Sequence, residues 1–116
     1  MSQVQNKINQ ALQLHRAGQV IEAIKIYEEV LPSQEGNAHL FYLLGTAYVG
    51  VNRTIDAENA LKQSIGLDKR NADAHYNLGI LLAGLKRFDE ALACYDKALG
   101  INPNHAPAYT NRGVVL

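Results

Sequence analysis

The apolar and small residues of this chain recur with the spacing of paired amphipathic helices. Segment 72–84 predicts one helix, because four residues fall at i, i+3, i+4 and i+7 on one face: His75, Leu78, Gly79 and Leu82. Segment 88–99 predicts a second helix, whose opposing stripe is Ala91, Tyr95 and Ala98. Small residues at Gly79 and Ala91 would let the two backbones approach closely. Two helices joined by a short turn are therefore predicted, with Pro103 closing the unit.

The same pattern returns at a step of 34 residues. Two series are wholly small: Ala11, Gly45, Gly79 and Gly113, and Ala23, Ala57 and Ala91. A third series is wholly large: Tyr27, Leu61 and Tyr95. The step predicts three full repeats at 4–37, 38–71 and 72–105, with a tail at 1–3 and the first helix of a fourth repeat at 106–116. The predicted helices are 4–17, 20–31, 38–51, 55–67, 72–84, 88–99 and 106–116.

Local signals predict where these helices begin and end. Asn37 and Asn71 stand one step apart, and each is predicted to cap a helix N-terminus, because an Asn side chain can accept a bond from a free backbone N–H. Gly18 is predicted to end the first helix, since glycine readily adopts the left-handed conformation found there. Pro32 is predicted to stop the second helix.

Composition limits the classes of function. Eleven Lys and Arg residues balance eleven Asp and Glu residues, so the formal net charge is zero. This balance argues against a nucleic-acid partner and against a membrane partner. The single cysteine, Cys94, excludes an internal disulfide framework and fits a reducing compartment. With no signal-peptide core and no apolar run of transmembrane length, the expected location is the cytoplasm.

The side chains that could carry chemistry are not grouped in the sequence. The histidines lie in different units without the close spacing of zinc ligands: His15, His39, His75 and His105. Cys94 lacks a Cys-His-acid context, and no glycine loop suited to phosphate is present. We therefore predict no catalytic residue, no metal and no cofactor, and we expect that this chain by itself is not an enzyme.

The register of small and large residues closely resembles the tetratricopeptide repeat family. The resemblance is carried by the LG pairs at 44–45 and 78–79 and by the residues Ala23, Ala57, Ala91, Tyr27, Tyr95 and Pro103. It implies an all-α, right-handed α-solenoid of antiparallel helix pairs, with the first helix of each pair lining a concave groove. The first repeat departs from the family pattern, because Gln10–Ala11 replaces Leu–Gly and the closing proline is missing. Lys69 replaces that proline in the second repeat.

The resemblance also divides the residues into two sets. Those predicted to hold the helices together are Ala11, Ala23, Tyr27, Gly45, Ala57, Gly79, Ala91, Tyr95, Ala98 and Gly113. Those predicted to contact a peptide in the groove are Asn9, Leu12, Tyr42, Thr46, Tyr76, Asn77, Ile80 and Asn111. The wider groove face is expected to include Ile8 and Leu43 as well.

Three asparagines, Asn9, Asn77 and Asn111, lie two residues before the small residue of their repeat, and Leu43 interrupts the series. An amide donates to carbonyls and accepts from N–H groups, so such a row can hold an extended backbone. The row is similar to the asparagine ladder in the repeats of O-linked N-acetylglucosamine transferases. A structural or solvated role for these residues stays open. Some family members clamp acidic chaperone C-termini with Lys and Asn, but Ile8 and Leu12 stand at those places, so that clamp is not expected.

The leading hypothesis is a non-catalytic interaction scaffold that binds an extended peptide. A second is that the chain is the N-terminal part of a larger enzyme such as a glycosyltransferase, because similar repeats precede such domains in bacterial proteins. A third is self-association into a homo-oligomer through the C-terminal helix, whose residues 114–116 are apolar. The missing partner of that helix leads us to expect a fragment of a longer protein.

Overall fold

The computed structural model describes residues 2–116 and is built from helices. The α-helices are α1 (Gln3–Arg16), α2 (Val20–Val30), α3 (Ala38–Gly50), α4 (Thr54–Leu67), α5 (Ala72–Gly84), α6 (Phe88–Ile101) and α7 (Ala106–Val115). A short 3-10 turn at Leu31–Ser33 follows α2, and no strand occurs in the described part of the chain. The prediction of an all-helical fold is confirmed. Helix ends differ from the predicted ones by two residues or fewer, as expected where helices fray or tighten.

The helices form two compact units, divided between Leu67 and Asp68. In the first unit α1 packs on α2, α3 packs on α4, and α2 also contacts α3. In the second unit α6 packs against both α5 and α7. Each unit thus consists of consecutive helices joined by short connections, as the alternation of apolar stripes and turn residues predicts.

The predicted asparagine caps are confirmed. Asn37 accepts the Leu40 N–H on its side-chain oxygen at 3.0 Å, and Asn71 accepts the Ala74 N–H at 3.1 Å. Gly18 follows α1 with φ at +85°, a conformation that side chains with a Cβ rarely adopt. Lys86 also has a positive φ, 62°, in the turn between α5 and α6. That residue carries no sequence signal for such a conformation.

Two glycines allow the close approach of paired helices. A Cβ added at Gly45 would lie 2.7 Å from Leu61 Cγ, and one added at Gly79 would lie 2.6 Å from Tyr95 Cε1. Both distances are far inside the contact distance of carbon atoms, which is about 3.5–4.0 Å. The partner side chains therefore occupy the space that a methyl group would need.

Nine of the ten residues predicted to hold the helices together are buried: Ala11, Ala23, Tyr27, Gly45, Ala57, Gly79, Ala91, Tyr95 and Ala98. Gly113 departs from the prediction. It is exposed, and a Cβ built there would meet no atom within 4 Å. α7 is the last helix of residues 2–116, and within this range no second helix of its repeat packs against Gly113.

Candidate functional site

In the second unit α5 and α7 bring Tyr76 and Asn111 together. The Asn111 Nδ2 group donates to the Tyr76 hydroxyl oxygen at 2.8 Å and to the Pro107 carbonyl oxygen at 3.0 Å. Because a carbonyl can only accept, the second bond sets which way round the amide lies. Both N–H groups of the amide are therefore used within the protein.

One donor and one acceptor are left open at this pair. The Tyr76 hydroxyl accepts from Asn111 and keeps its own proton to donate, while Asn111 Oδ1 keeps its capacity to accept. Among residues 2–116 the proton of the Tyr76 hydroxyl has no acceptor, and Asn111 Oδ1 has no donor. Both residues are partly buried rather than fully solvated. Together they present the two groups that are complementary to one peptide unit.

His105 supports Tyr76 from the side of α7. Its ring centroid lies 4.8 Å from that of Tyr76, and the residue is only 8% exposed. The Nδ1 atom accepts the Ala108 N–H at 3.2 Å, which caps α7, so the ring proton is on Nε2 and is donated to Asp73 Oδ1 at 2.9 Å. Both ring nitrogens are thus engaged, and the surface under Tyr76 is held in place.

Sequence reasoning missed this role of His105. The spacing of the four histidines tests only for metal ligands, whereas the signal for a cap lies in the repeat itself. His105 stands 34 residues after Asn71, which stands 34 residues after Asn37. All three accept the backbone N–H of the residue three positions later, so His105 is the third N-cap of the series.

An apolar cleft of about 380 Å³ adjoins Asn111. It lies between α5, α6 and α7, and its apolar walls include Ile80, Ala83, Phe88 and Val114. Ile80 is 39% exposed and Val114 is 79% exposed. The predicted contact residue Ile80 therefore does reach solvent beside the polar pair, one turn of α5 beyond Tyr76.

Asn77 follows Tyr76 on α5 and is partly buried. It already makes an interaction within the protein. The structure therefore distinguishes the two asparagines of this unit, because the open acceptor of Asn111 is defined by its bonds while Asn77 is engaged elsewhere.

In the first unit the predicted contact residues lie on α1 and α3. Asn9 is exposed, and its Oδ1 accepts from the Gln5 side chain at 3.0 Å. Leu12 is partly buried. The Tyr42 ring stacks on His39 at 6.2 Å between centroids, and the Thr46 hydroxyl donates to the Leu43 carbonyl at 2.9 Å. α1 and α3 contact one another within this unit.

Two residues expected on the wider groove face are core residues instead. Ile8 is 5% exposed and Leu43 is 6% exposed, so neither offers its side chain to a ligand. The expectation was wrong because a helix packed on two neighbours buries more than one stripe. α3 is buried over most of its surface, whereas α1 buries Ile8 and Ala11 and exposes most of its other residues.

Perturbed pKa values mark packing rather than chemistry. Burial raises the pKa of Tyr27 and of Tyr95 and lowers that of His15, whose ring meets Tyr27 edge-on. Burial and a 2.6 Å hydrogen bond to Glu28 raise the pKa of Tyr48 well above its usual range. The Arg53 guanidinium, 4.6 Å above the Tyr48 ring, completes this contact between α2, α3 and the turn before α4.

No group of three or more His, Cys, Asp and Glu residues suited to a metal ion occurs in residues 2–116. Over the same range, no helix has the length and apolar character needed to cross a membrane.

Family models for the tetratricopeptide repeat match residues 38–71 and 72–105. Together these segments make up more than half of the chain, and the helix pairs described above are those of this family. The chain therefore belongs to the tetratricopeptide repeat family. Comparison with curated proteins found no match.

Solved structures of the same fold are similar to this chain. A crystal structure of MamA protein is 26% identical with a TM-score of 0.94, over 97% of this chain and 62% of that one. The first repeat domain of Spaghetti (RPAP3) bound to the HSP90 peptide SRMEEVD is 20% identical with a TM-score of 0.92, over 97% and 89%. The second repeat domain of human RPAP3, in complex with the HSP70 peptide SGPTIEEVD, is 22% identical with a TM-score of 0.88, over 94% and 91%. This chain spans less than two thirds of the MamA structure.

Proposed function

We propose that this chain is a non-catalytic protein-interaction scaffold and that its second unit binds an extended peptide segment on the face shared by α5 and α7. The observation that carries the proposal is the open donor and acceptor of Tyr76 and Asn111. A peptide unit offers one carbonyl and one N–H, so it can satisfy both groups at once. The RPAP3 domains, which share the fold, are bound to peptides in their structures.

The site is arranged before any ligand arrives. The Pro107 carbonyl holds the Asn111 amide, and the His105 ring lies against Tyr76. Side chains that are already held lose little rotational freedom on binding, which favours affinity. Because its hydrogen bonds are made to the peptide backbone, the Tyr76–Asn111 pair can bind segments of different sequence. Affinity on the order of micromolar is expected for so small a surface.

The remaining predicted residues belong to the same proposal. Asn77 and Ile80 would border the bound segment on α5, and the first unit would offer its own contacts through Asn9, Leu12, Tyr42 and Thr46. These assignments rest on the helix faces the residues occupy and on the family resemblance.

The experiment begins with a displayed library of short unstructured peptides, panned against the intact chain. The affinity of a recovered peptide is then measured by fluorescence anisotropy for the wild type, Tyr76→Phe and Asn111→Ala. Each variant removes one open group, and one net hydrogen bond corresponds to roughly a threefold to tenfold loss of affinity. Tyr109→Phe is the matched control, since Tyr109 is 55% exposed on α7 and lies outside the Tyr76–Asn111 pair.

Circular dichroism of each variant verifies that helix content is unchanged. The proposal is wrong if the library yields no binding peptide. It is also wrong if Tyr76→Phe and Asn111→Ala both bind as tightly as the Tyr109→Phe control.

A further inference from the structure

The α5–α7 face carries two features that the backbone-binding pair does not use: the apolar cleft beside Asn111 and the carboxylate of Asp73. We propose that they select the ligand, so that the bound segment carries a Lys or Arg opposite Asp73 and a bulky apolar side chain in the cleft. This inference rests on the proposed function, because it concerns the composition of the same peptide.

The cleft continues directly from the hydrogen-bonding pair. Asn111 is one of its lining residues, and Ile80 and Phe88, which also line it, are 39% and 46% exposed. Its volume of about 380 Å³ falls at the lower end of the range for ligand pockets in proteins, about 300–1,000 Å³. Such a space suits one large side chain, and apolar walls favour a side chain without charge.

Asp73 provides the charge of this face. It lies on α5 three residues before Tyr76, and its side chain is 65% exposed. One carboxylate oxygen accepts from His105 Nε2, but the capping bond at Nδ1 leaves that ring with a single proton. The histidine therefore orients the carboxylate without neutralising it.

No cation of α5 or α7 competes for this carboxylate. Asp73 is the one Asp, Glu, Lys or Arg residue of α5, and Arg112 is the one such residue of α7. Arg112 donates to Asp96 of α6 at 2.7 Å, which ties its charge to another partner. The charge complementary to this face is therefore positive, the opposite of the EEVD ends of the peptides in the RPAP3 structures.

Spacing along the helix separates the two preferences. Asp73 and Ile80 are seven positions apart on α5, which at about 1.5 Å per residue corresponds to roughly 10 Å along the helix. One side chain cannot fill the cleft and pair with Asp73 at the same time. An extended peptide advances about 3.3 Å per residue, so the basic and apolar side chains would stand about two to four residues apart.

The test uses four labelled peptides in one host sequence taken from the panning: Lys with Leu, Glu with Leu, Lys with Ser, and Glu with Ser. Fluorescence anisotropy at low salt gives each affinity, and SRMEEVD serves as an acidic comparator. Replacing Lys by Glu should weaken binding about threefold to fivefold, since exposed charge pairs are modest and screened by salt. Replacing Leu by Ser should weaken binding about tenfold or more, because apolar burial is lost.

Asp73→Asn isolates the charge, since the amide oxygen can still accept from His105. In this variant the preference for Lys over Glu should disappear while the preference for Leu over Ser persists. Asp89→Asn is the matched control, because Asp89 is likewise the second residue of its helix and is exposed on α6. That variant should keep both preferences.

The outcomes distinguish the two proposals. Equal affinity for all four peptides, with Tyr76→Phe still weakening them, overturns the selectivity and leaves the backbone-binding function standing. A preference for Glu or for SRMEEVD over Lys also overturns it. If no peptide binds, the proposed function and the selectivity are both refuted. The same holds if Tyr76→Phe and Asn111→Ala leave the affinity of every peptide unchanged.

Discussion

Replacing Gly79 with alanine should destabilise the second unit, although alanine is the better helix former. The added Cβ would lie 2.6 Å from Tyr95 Cε1, 2.9 Å from Cδ1 and 3.2 Å from Cζ. All three atoms belong to one rigid ring, and Tyr95 is 1% exposed, so the ring can give way only toward the cleft between α5, α6 and α7 that it lines. Either α5 and α6 must separate or the ring must leave its position.

Two opposing effects set the magnitude. Overpacking of a filled core costs roughly 1–3 kcal/mol. Alanine in place of glycine inside a helix gains about 1 kcal/mol. The net effect expected for Gly79→Ala is a loss of about 0–2 kcal/mol in the free energy of unfolding, with the sign set by the Tyr95 contact.

Gly113→Ala is the matched control that isolates that contact. Gly113 lies in α7, and a Cβ there would meet no atom within 4 Å, so only the helix-forming gain applies. This variant should be unchanged or more stable by up to about 1 kcal/mol. The difference between the two variants, about 1–3 kcal/mol, then measures the clash alone.

Guanidinium denaturation followed by far-UV circular dichroism gives both free energies of unfolding. Amide hydrogen exchange in α5 and α6 shows whether the loss is confined to the second unit. If Gly79→Ala and Gly113→Ala shift stability by the same amount, the argument from the Gly79–Tyr95 contact is wrong.

Three further predictions concern the cores. Tyr27→Phe should leave stability unchanged or raise it by about 1 kcal/mol, because the buried Tyr27 hydroxyl has no hydrogen-bond partner among residues 2–116. The same change at Tyr95 should bring no gain in stability. Thermal melting of the two variants checks this difference. Ala91→Leu should lower the free energy of unfolding by roughly 1–3 kcal/mol, because it overpacks a fully buried position. Ala93→Leu, at an exposed position of α6, should have little effect. Equal melting temperatures of the two variants would contradict the assignment of Ala91 to the packed face of α6. Burial lowers the pKa of His15, so the unfolded chain takes up a proton at that residue at higher pH than the folded chain does. Stability should therefore fall as pH drops below about 6.5, and His15→Gln should lessen the fall between pH values of about 7.5 and 5.5 in melting experiments; an unchanged slope would show that His15 is not responsible.

The helices and their caps were predictable because their causes are local. The stripe that pairs α5 with α6 recurs every three or four residues, and an Asn side chain caps a helix through a bond to a backbone N–H three positions away. Neither feature depends on distant parts of the chain. The same repeat step also contains the signal for His105, which stands at the N-cap position of its repeat as Asn37 and Asn71 do in theirs.

Which residues beside the predicted contact set are exposed was predicted less well. Helical spacing placed Ile8 and Leu43 on the groove face, but each helix packs on more than one neighbour, and both side chains are buried. Gly113 is exposed, since α7 is the last helix of the described range and no second helix of its repeat packs on it there. The position of a residue in its repeat indicates the helix face on which it lies, and residues at the same position of other repeats lie on the same face. Exposure depends on what packs against that face.

The sequence by itself determined that this chain forms helix pairs of the tetratricopeptide repeat family, because close packing demands small and large residues at regular intervals and those intervals can be counted. Only the tertiary structure decided which polar atoms of the second unit stay open. Asn111 and Tyr76 are 35 residues apart, and an amide has the same capacity to donate and accept wherever it stands. In the folded chain the Tyr76 hydroxyl and the Pro107 carbonyl occupy the N–H groups of the Asn111 amide. Only this tertiary arrangement shows that the amide oxygen is the part left to bind a ligand.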